Sequence, residues 1–190
     1  HGQGLITTEA LVAAALGDRD QWVQGHCAQW LTETGDTRPL QVLLGARSAA
    51  VRLTALRGLP DVEGDDGLLR ALLLDPASRV RDEARRRARQ RGGEVAEVYR
   101  RELQPDAPAR VVVACLEGLA HTGADGDLEC IIAGLRHASP RVRAAAVAAV
   151  AASTTREDAL ELLAPVLLDA RARVAGAAAR ELARLNAPPA

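Results

Sequence analysis

The densest chemistry in this sequence is a run of guanidinium groups. Arg79, Arg81, Arg85, Arg86, Arg87, Arg89 and Arg91 crowd one segment, and Arg100 and Arg101 follow. On a helix, Arg85, Arg86 and Arg89 spread over more than half the circumference, so they cannot all enter a core. These three are candidate anion-binding residues, for phosphate, nucleic acid or an acidic peptide. Asp82, Glu83, Glu94, Glu97 and Glu102 lie beside them, and the run itself holds no aromatic to stack a base. The competing expectation is a solvated, salt-bridged face.

Other constellations are thinner. Asp125-Gly126-Asp127-Leu128-Glu129 alternates acids around a glycine, but it is far too short for a calcium loop. Gly35-Asp36-Thr37 and Gly64-Asp65-Asp66 have the same look, so all three read as turns followed by helix caps. His26, His121 and His137 have no partner at metal-ligand spacing, and Cys27, Cys115 and Cys130 form no CxxC pair. No Gly-rich phosphate loop, nucleophile elbow or Ser/His/Asp set occurs. No catalytic residue, metal ligand or cofactor is therefore assigned.

The elements that would position these residues are set by a repeat. Val23, Val51, Val80, Val111, Val142 and Val174 recur at spacings of 28, 29, 31, 31 and 32 residues. Four places on stand Cys27, Ala55, Ala84, Cys115, Ala146 and Ala178, and eight places on Leu31, Leu59, Ala88, Leu119, Val150 and Leu182. Positions 0, +4 and +8 form one stripe on a helix. A period near 30 with such a stripe predicts stacked helical hairpins, an all-α solenoid of about six repeats.

Inner helices are predicted over 20–33, 48–59, 77–91, 108–121, 140–152 and 171–186. Outer helices precede them over 7–16, 37–45, 64–74, 93–104, 126–137 and 155–168. Asp36-Thr37, Asp65-Asp66, Asp127 and Thr154-Thr155 stand where outer helices need N-caps. Pro76 and Pro140 open inner helices, Gly35, Gly64 and Gly123 follow them, and Gly92-Gly93 breaks the chain after the third. One repeat domain is expected over 5–186. Residues 1–4 are set aside, His1-Gly2 reading as a tag remnant, and 187–190 form a tail after Asn186.

Composition narrows the class. Hydrophobic residues make up 48% of the chain and aromatics 2%, so the core must be built of Ala, Leu and Val, which lets helices approach closely. The net charge of −1 gives no global pull towards nucleic acid or membrane. All 24 basic residues are Arg, a usage that fits a GC-rich bacterial coding sequence better than a choice made for bidentate recognition. Three cysteines with no disulfide framework fit a reducing cytoplasm, with Cys27 and Cys115 expected as buried free thiols. No uninterrupted apolar run of membrane-spanning length occurs, and no secretory leader is visible.

Asp75-Pro76-Ala77-Ser78-Arg79-Val80-Arg81-Asp82-Glu83-Ala84 resembles the HEAT-repeat signature Asp-Pro-x-x-x-Val-Arg-x-x-Ala. Ser139-Pro140-Arg141-Val142-Arg143-Ala144-Ala145-Ala146 and Ala50-Val51-Arg52-Leu53-Thr54-Ala55-Leu56 are further matches. Repeats four and six replace the arginine by Val112 and Ala175, and repeat one by Gln24. The short period is similar to that of bacterial HEAT-like proteins, including the phycobilisome-lyase type.

The resemblance implies a right-handed superhelix with inner helices on its concave face. It also implies that Arg52, Arg81 and Arg143 bond neighbouring repeats. The +6 positions Gln29, Arg57, Arg86, Glu117, Ala148 and Arg180 would then look into the groove. So would +2 positions, among them Leu53, Asp82, Val113 and Ala144. Arg143 is the only charge between Val142 and Ala152, which makes that helix a seat for a partner helix or simply tight alanine packing. Trp22 and Trp30, eight apart on one helix, would cap the N-terminal end of the stack or anchor an interface.

Catalytic relatives of this shape fit less well. The hydroxylases' His-Glu dipeptides are missing, the glycosylases' Trp and Asp spacing is not reproduced, and no bilin-lyase residues are recognised. The expected function is non-enzymatic binding of a protein partner on the concave face. The alternatives are nucleic-acid binding through Arg79–Arg91 or a bilin-lyase-like role. The stripe itself is testable: Ala146→Asp would bury an unpaired ion in a tight contact and cost several kcal/mol. Thermal unfolding should show a large loss, and an unchanged midpoint would refute the register.

Overall fold

Valines thirty residues apart become the buried seams of successive helices. The computed structural model describes residues 7–60, 66–90, 95–123 and 125–187. Among these the chain is all-α, with twelve α-helices and no strand. It divides into two compact units, residues 1–91 and 92–190.

The first unit holds α1 (Thr8–Gly17), α2 (Gln21–Glu33), α3 (Thr37–Leu43), α4 (Ala49–Gly58), α5 (Asp66–Leu73) and α6 (Ser78–Gln90). Here α2 packs on α4 and α4 on α6, with α1, α3 and α5 laid against them. The second unit holds α7 (Val95–Glu102), α8 (Ala109–Ala120), α9 (Leu128–Ala133), α10 (Pro140–Ser153), α11 (Arg156–Leu163) and α12 (Ala172–Asn186). In it α8 packs on α10 and α10 on α12; α9 touches both α8 and α10, and α11 both α10 and α12.

Local chemistry explains the boundaries. Asp36 caps α3 by accepting from the Arg38 N–H at 3.0 Å, and Thr155 caps α11 by accepting from Asp158 at 3.2 Å. Pro140 opens α10. Gly35 and Gly123 turn the chain at φ +73° and +67°, a region costly for other residues. Two predicted outer helices are broken. Residues Asp125–Asp127 and Gly134–Arg136 are 3₁₀ turns on either side of α9, and Ala164–Leu168 is a 3₁₀ stretch after α11. Pro165 lacks the N–H that would continue α11, and a tighter turn takes over. Asp127 sits at the α9 N-cap without a side-chain cap bond. Its buried carboxylate instead accepts from Arg100 of α7, at 2.6 Å from Nε and 3.1 Å from Nη2. The expectations for Asp65, Gly64, Arg91, Gly92-Gly93, residues 1–4 and residues 188–190 lie outside the described residues.

The predicted stripe is the core. Val51, Val80, Val142 and Val174 are fully buried, as are Ala55, Ala84, Cys115, Ala146 and Ala178 four places on. The departures are graded. Val23, Cys27 and Leu182 are half-buried, on the first and last inner helices, so Cys27 is not the buried thiol the sequence suggests. Val111 is half-buried because Val112 beside it turns inward, where other repeats carry arginine. Close approach is enforced by missing side chains. A Cβ on Gly118 would collide with the buried Tyr99 ring, and one on Gly134 would stand 2.9 Å from Ala146 Cβ.

Two arginines lock neighbouring repeats in the same way. Arg52 donates from Nε and Nη2 to the two Asp75 oxygens, each at 2.7 Å, and from Nη1 to the Ala46 and Arg47 carbonyls at 2.7 and 3.0 Å. Arg143 repeats the pattern, bidentate on Asp169 at 2.7 and 2.9 Å and bonded to the His137 and Ala138 carbonyls at 3.0 and 3.1 Å. Asp75 and Asp169 also accept backbone N–H groups two residues on, each at 2.8 Å. Every nitrogen of the two guanidinium groups and every oxygen of the two carboxylates thereby has a partner. Because Arg52 and Asp75 are both buried, Arg52→Ala should strand a buried carboxylate and cost about 3–5 kcal/mol. Denaturant unfolding measures this, and a loss near zero would show that the clamp is ornamental.

Candidate partner-binding groove

The inner helices of the second unit carry a concavity of about 400 Å³. Its floor is small and apolar: Val113 from α8, Ala144, Ala145 and Ala148 from α10, and Ala177 from α12. Charge stands around it: Arg110 from α8, Arg141 from α10, Arg173 and Arg180 from α12, and Glu117 from α8. Helical geometry produces this lining. Residues at +2 and +6 lie four apart on one flank of each helix, away from the buried stripe at 0, +4 and +8.

Five residues predicted to face a partner therefore meet in one site: Val113, Glu117, Ala144, Ala148 and Arg180. The sequence reading missed Arg110, Arg141 and Arg173. Each stands one residue before its repeat's valine, and Arg79 stands there in the third repeat. That column was the available signal.

The remaining candidates lie in the first unit. Gln29, Arg57, Asp82 and Arg86 are exposed and Leu53 is half-buried. The arginine-rich helix α6 does not present three open cations. Arg85 is buried and paired with Asp82, which corrects its assignment to an anion-binding surface. Arg86 pairs with buried Glu83, using Nη2 and, at 3.1 Å, Nε. Arg87 reaches the same carboxylate at 3.3 Å and donates to the Leu59 and Arg57 carbonyls at 2.8 and 2.9 Å, tying α6 to the end of α4. Arg57 Nε lies 3.9 Å from Glu83. Arg89 is exposed. Arg85, Arg86 and Arg87 are engaged by two carboxylates, Asp82 and Glu83, because an acid placed three or four residues before an arginine shares its helix face.

The two tryptophans do not bury themselves as a cap. Trp22 is 67% exposed and Trp30 53%. Trp22 lies nine residues before the buried Leu31, half a turn round the helix from it, and so points away from the core. Its ring rests over His26, centroids 3.7 Å apart.

Reactive groups are few. Cys115 is fully buried, and burial, with the Glu102 charge adding to it, pushes its thiol up to about 12. It stays protonated near neutrality and is a poor nucleophile. Cys130 is exposed. Among the described residues no group of three or more His, Cys, Asp or Glu could hold a metal ion. No helix among them is long and apolar enough to cross a membrane.

No family model matches the chain, and no curated protein does. Among the solved structures that resemble it are two engineered proteins from the Northeast Structural Genomics Consortium. One is 22% identical, covers 96% of this chain and 99% of its own, and has a TM-score of 0.42. The other is 21% identical, covers 94% and 96%, and has a TM-score of 0.39. At those scores the likeness carries no argument, and the site rests on its own geometry.

The α6 network has a pH signature. Arg86, followed by Arg87, holds the Glu83 carboxyl below its ordinary range. A depressed folded value means the contribution is complete above the ordinary glutamate value of about 4.3 and is lost as pH falls through the folded value. Stability measured by denaturant between about pH 5 and pH 2 should therefore fall more steeply in the wild type than in Glu83→Gln. Parallel curves would remove Glu83 from the account.

Proposed function

We propose that this all-α chain is a HEAT-like module of the right-handed solenoid type that binds a protein partner on its inner helices and performs no catalysis itself. One observation supports this above the rest. Positions that the repeat pattern selects as groove-facing come together around one concavity with an alanine floor and charged walls. Small side chains admit a partner's backbone closely, and charges at the edge fix its orientation.

The lining favours binding over chemistry. Its side chains are alanines, a valine, arginines and one glutamate, with no nucleophile set beside a base. The nucleic-acid alternative loses its main support, since Arg85 and Arg86 are engaged with Asp82 and Glu83. Three free cysteines fit a reducing bacterial cytoplasm.

Ala148 is exposed on the floor, so Ala148→Trp should fill the groove without entering the core. Peptides selected on the immobilised full chain should bind the variant at least about tenfold more weakly, with the thermal midpoint unchanged. Recovery of only Ala148→Trp-insensitive peptides, or of none, would overturn the reading.

A further inference from the structure

Packing does not explain the charge around the second unit's groove. Arg110, Arg141 and Arg173 are each the second residue of their helix, α8, α10 and α12. All three are exposed and line the groove. None has a hydrogen bond or ion pair to a side chain among the described residues, and neither has Arg180. Elsewhere in the unit Arg100, Arg143 and Arg184 each hold a carboxylate. Four uncompensated guanidinium groups thus surround a floor that meets only one carboxylate, Glu117. Unpaired arginines converging on one concavity are what a site for carboxylates requires.

Their spacing selects the kind of acid. Each short connection reverses the chain, so α8, α10 and α12 run the same way. Helices packed side by side lie about 8–10 Å apart; α10 packs on both α8 and α12, so the backbones at the shared register of Arg110, Arg141 and Arg173 inherit about that pitch. Seven residues of α-helix rise about 10.5 Å and return to nearly the same face. An extended chain covers that distance in about three residues, but alternate side chains then point to opposite sides. A nucleic-acid strand presents one charge per about 3.4 Å, far denser than these rungs. No aromatic side chain lines the groove to stack a base.

We propose that this groove docks an acidic α-helix of a partner protein. Carboxylates one heptad apart would meet Arg110, Arg141 and Arg173, and small or apolar residues of the same face would lie on Ala144, Ala145, Ala148 and Ala177. Arg180, which also lines the groove, would take an acid from the helix's other flank. The inference rests on the partner-binding reading above and adds the partner's chemistry and register to it. Because the pairs are exposed, binding should weaken with salt.

The test uses the full chain and a labelled, alanine-rich helical peptide about three heptads long, with glutamates one heptad apart. A control of equal composition turns its glutamates to different faces, and an oligothymidylate serves as competitor. By fluorescence anisotropy the heptad peptide should bind at least about tenfold tighter than the control. Arg141→Glu should abolish that difference, and Arg141→Gln should reduce it, with circular dichroism unchanged in both. Equal affinity for the two peptides, indifference to Arg141→Glu, or stronger competition by the oligothymidylate would overturn the inference. If no acidic peptide binds while selected peptides still depend on Ala148, the acidic-helix inference falls and the partner-binding reading stands; if Ala148 matters to nothing, both fall.

Discussion

The constraint on which the structure depends is the smallness of the residue four places after each seam valine. Ala55, Ala84, Cys115, Ala146 and Ala178 are all fully buried, and Ala146 lies directly against Gly134 of the turn after α9. A longer side chain there would force helices apart that are already at contact, and interiors packed at crystal density have little slack. The same limit explains Gly118 beneath Tyr99 and Gly134 against Ala146. With almost no aromatics to fill space, stability has to come from many short contacts made at close range.

Close packing sets distance, and a polar clamp adds register. Arg52 and Arg143 each bond two carbonyls of their own repeat and the aspartate of the next. A buried guanidinium with carboxylate and carbonyl partners at fixed geometry tolerates little sliding between helices. Repeat four shows the two halves of the clamp vanishing together. Val112 replaces the arginine, and His137 stands where Asp75 and Asp169 stand in their repeats. His137 keeps the turn-forming half of the job, its Nδ1 accepting from the Ser139 N–H at 2.9 Å. Losing either partner alone would leave a buried charge uncompensated; losing both leaves no charge to compensate.

The helices and the seam were legible because they depend on spacing alone. A period of 3.6 inside a period near 30 names the buried positions without any knowledge of partners, and the groove-facing Val113, Glu117, Ala144, Ala148 and Arg180 follow from the same arithmetic. The charges were legible only in part. Arg85 and Arg86 are adjacent and chemically identical, yet one is buried against Asp82 and the other reaches Glu83 from the surface. Which acid an arginine finds depends on rotamer and burial, and neither is written in spacing. The tryptophans mislead for a related reason. Large apolar residues suggest burial, but Trp22 lies across the helix from Leu31, and angular position outweighs hydrophobicity.

Angular position also explains how one residue type serves two ends in the second unit. Two residues along a helix turn the side chain through about 200°, nearly to the opposite side. Arg143 therefore points into the seam and is consumed by Asp169, whereas Arg141 points to the groove and meets no acid. In repeats four and six the seam arginine is replaced by Val112 and Ala175, but Arg110 and Arg173 remain. The clamp is thus dispensable at two repeats where the groove arginine is kept. Folding alone gives no reason for that asymmetry, because an exposed arginine without a partner contributes little to stability. A ligand that reads all three inner helices at once does give one.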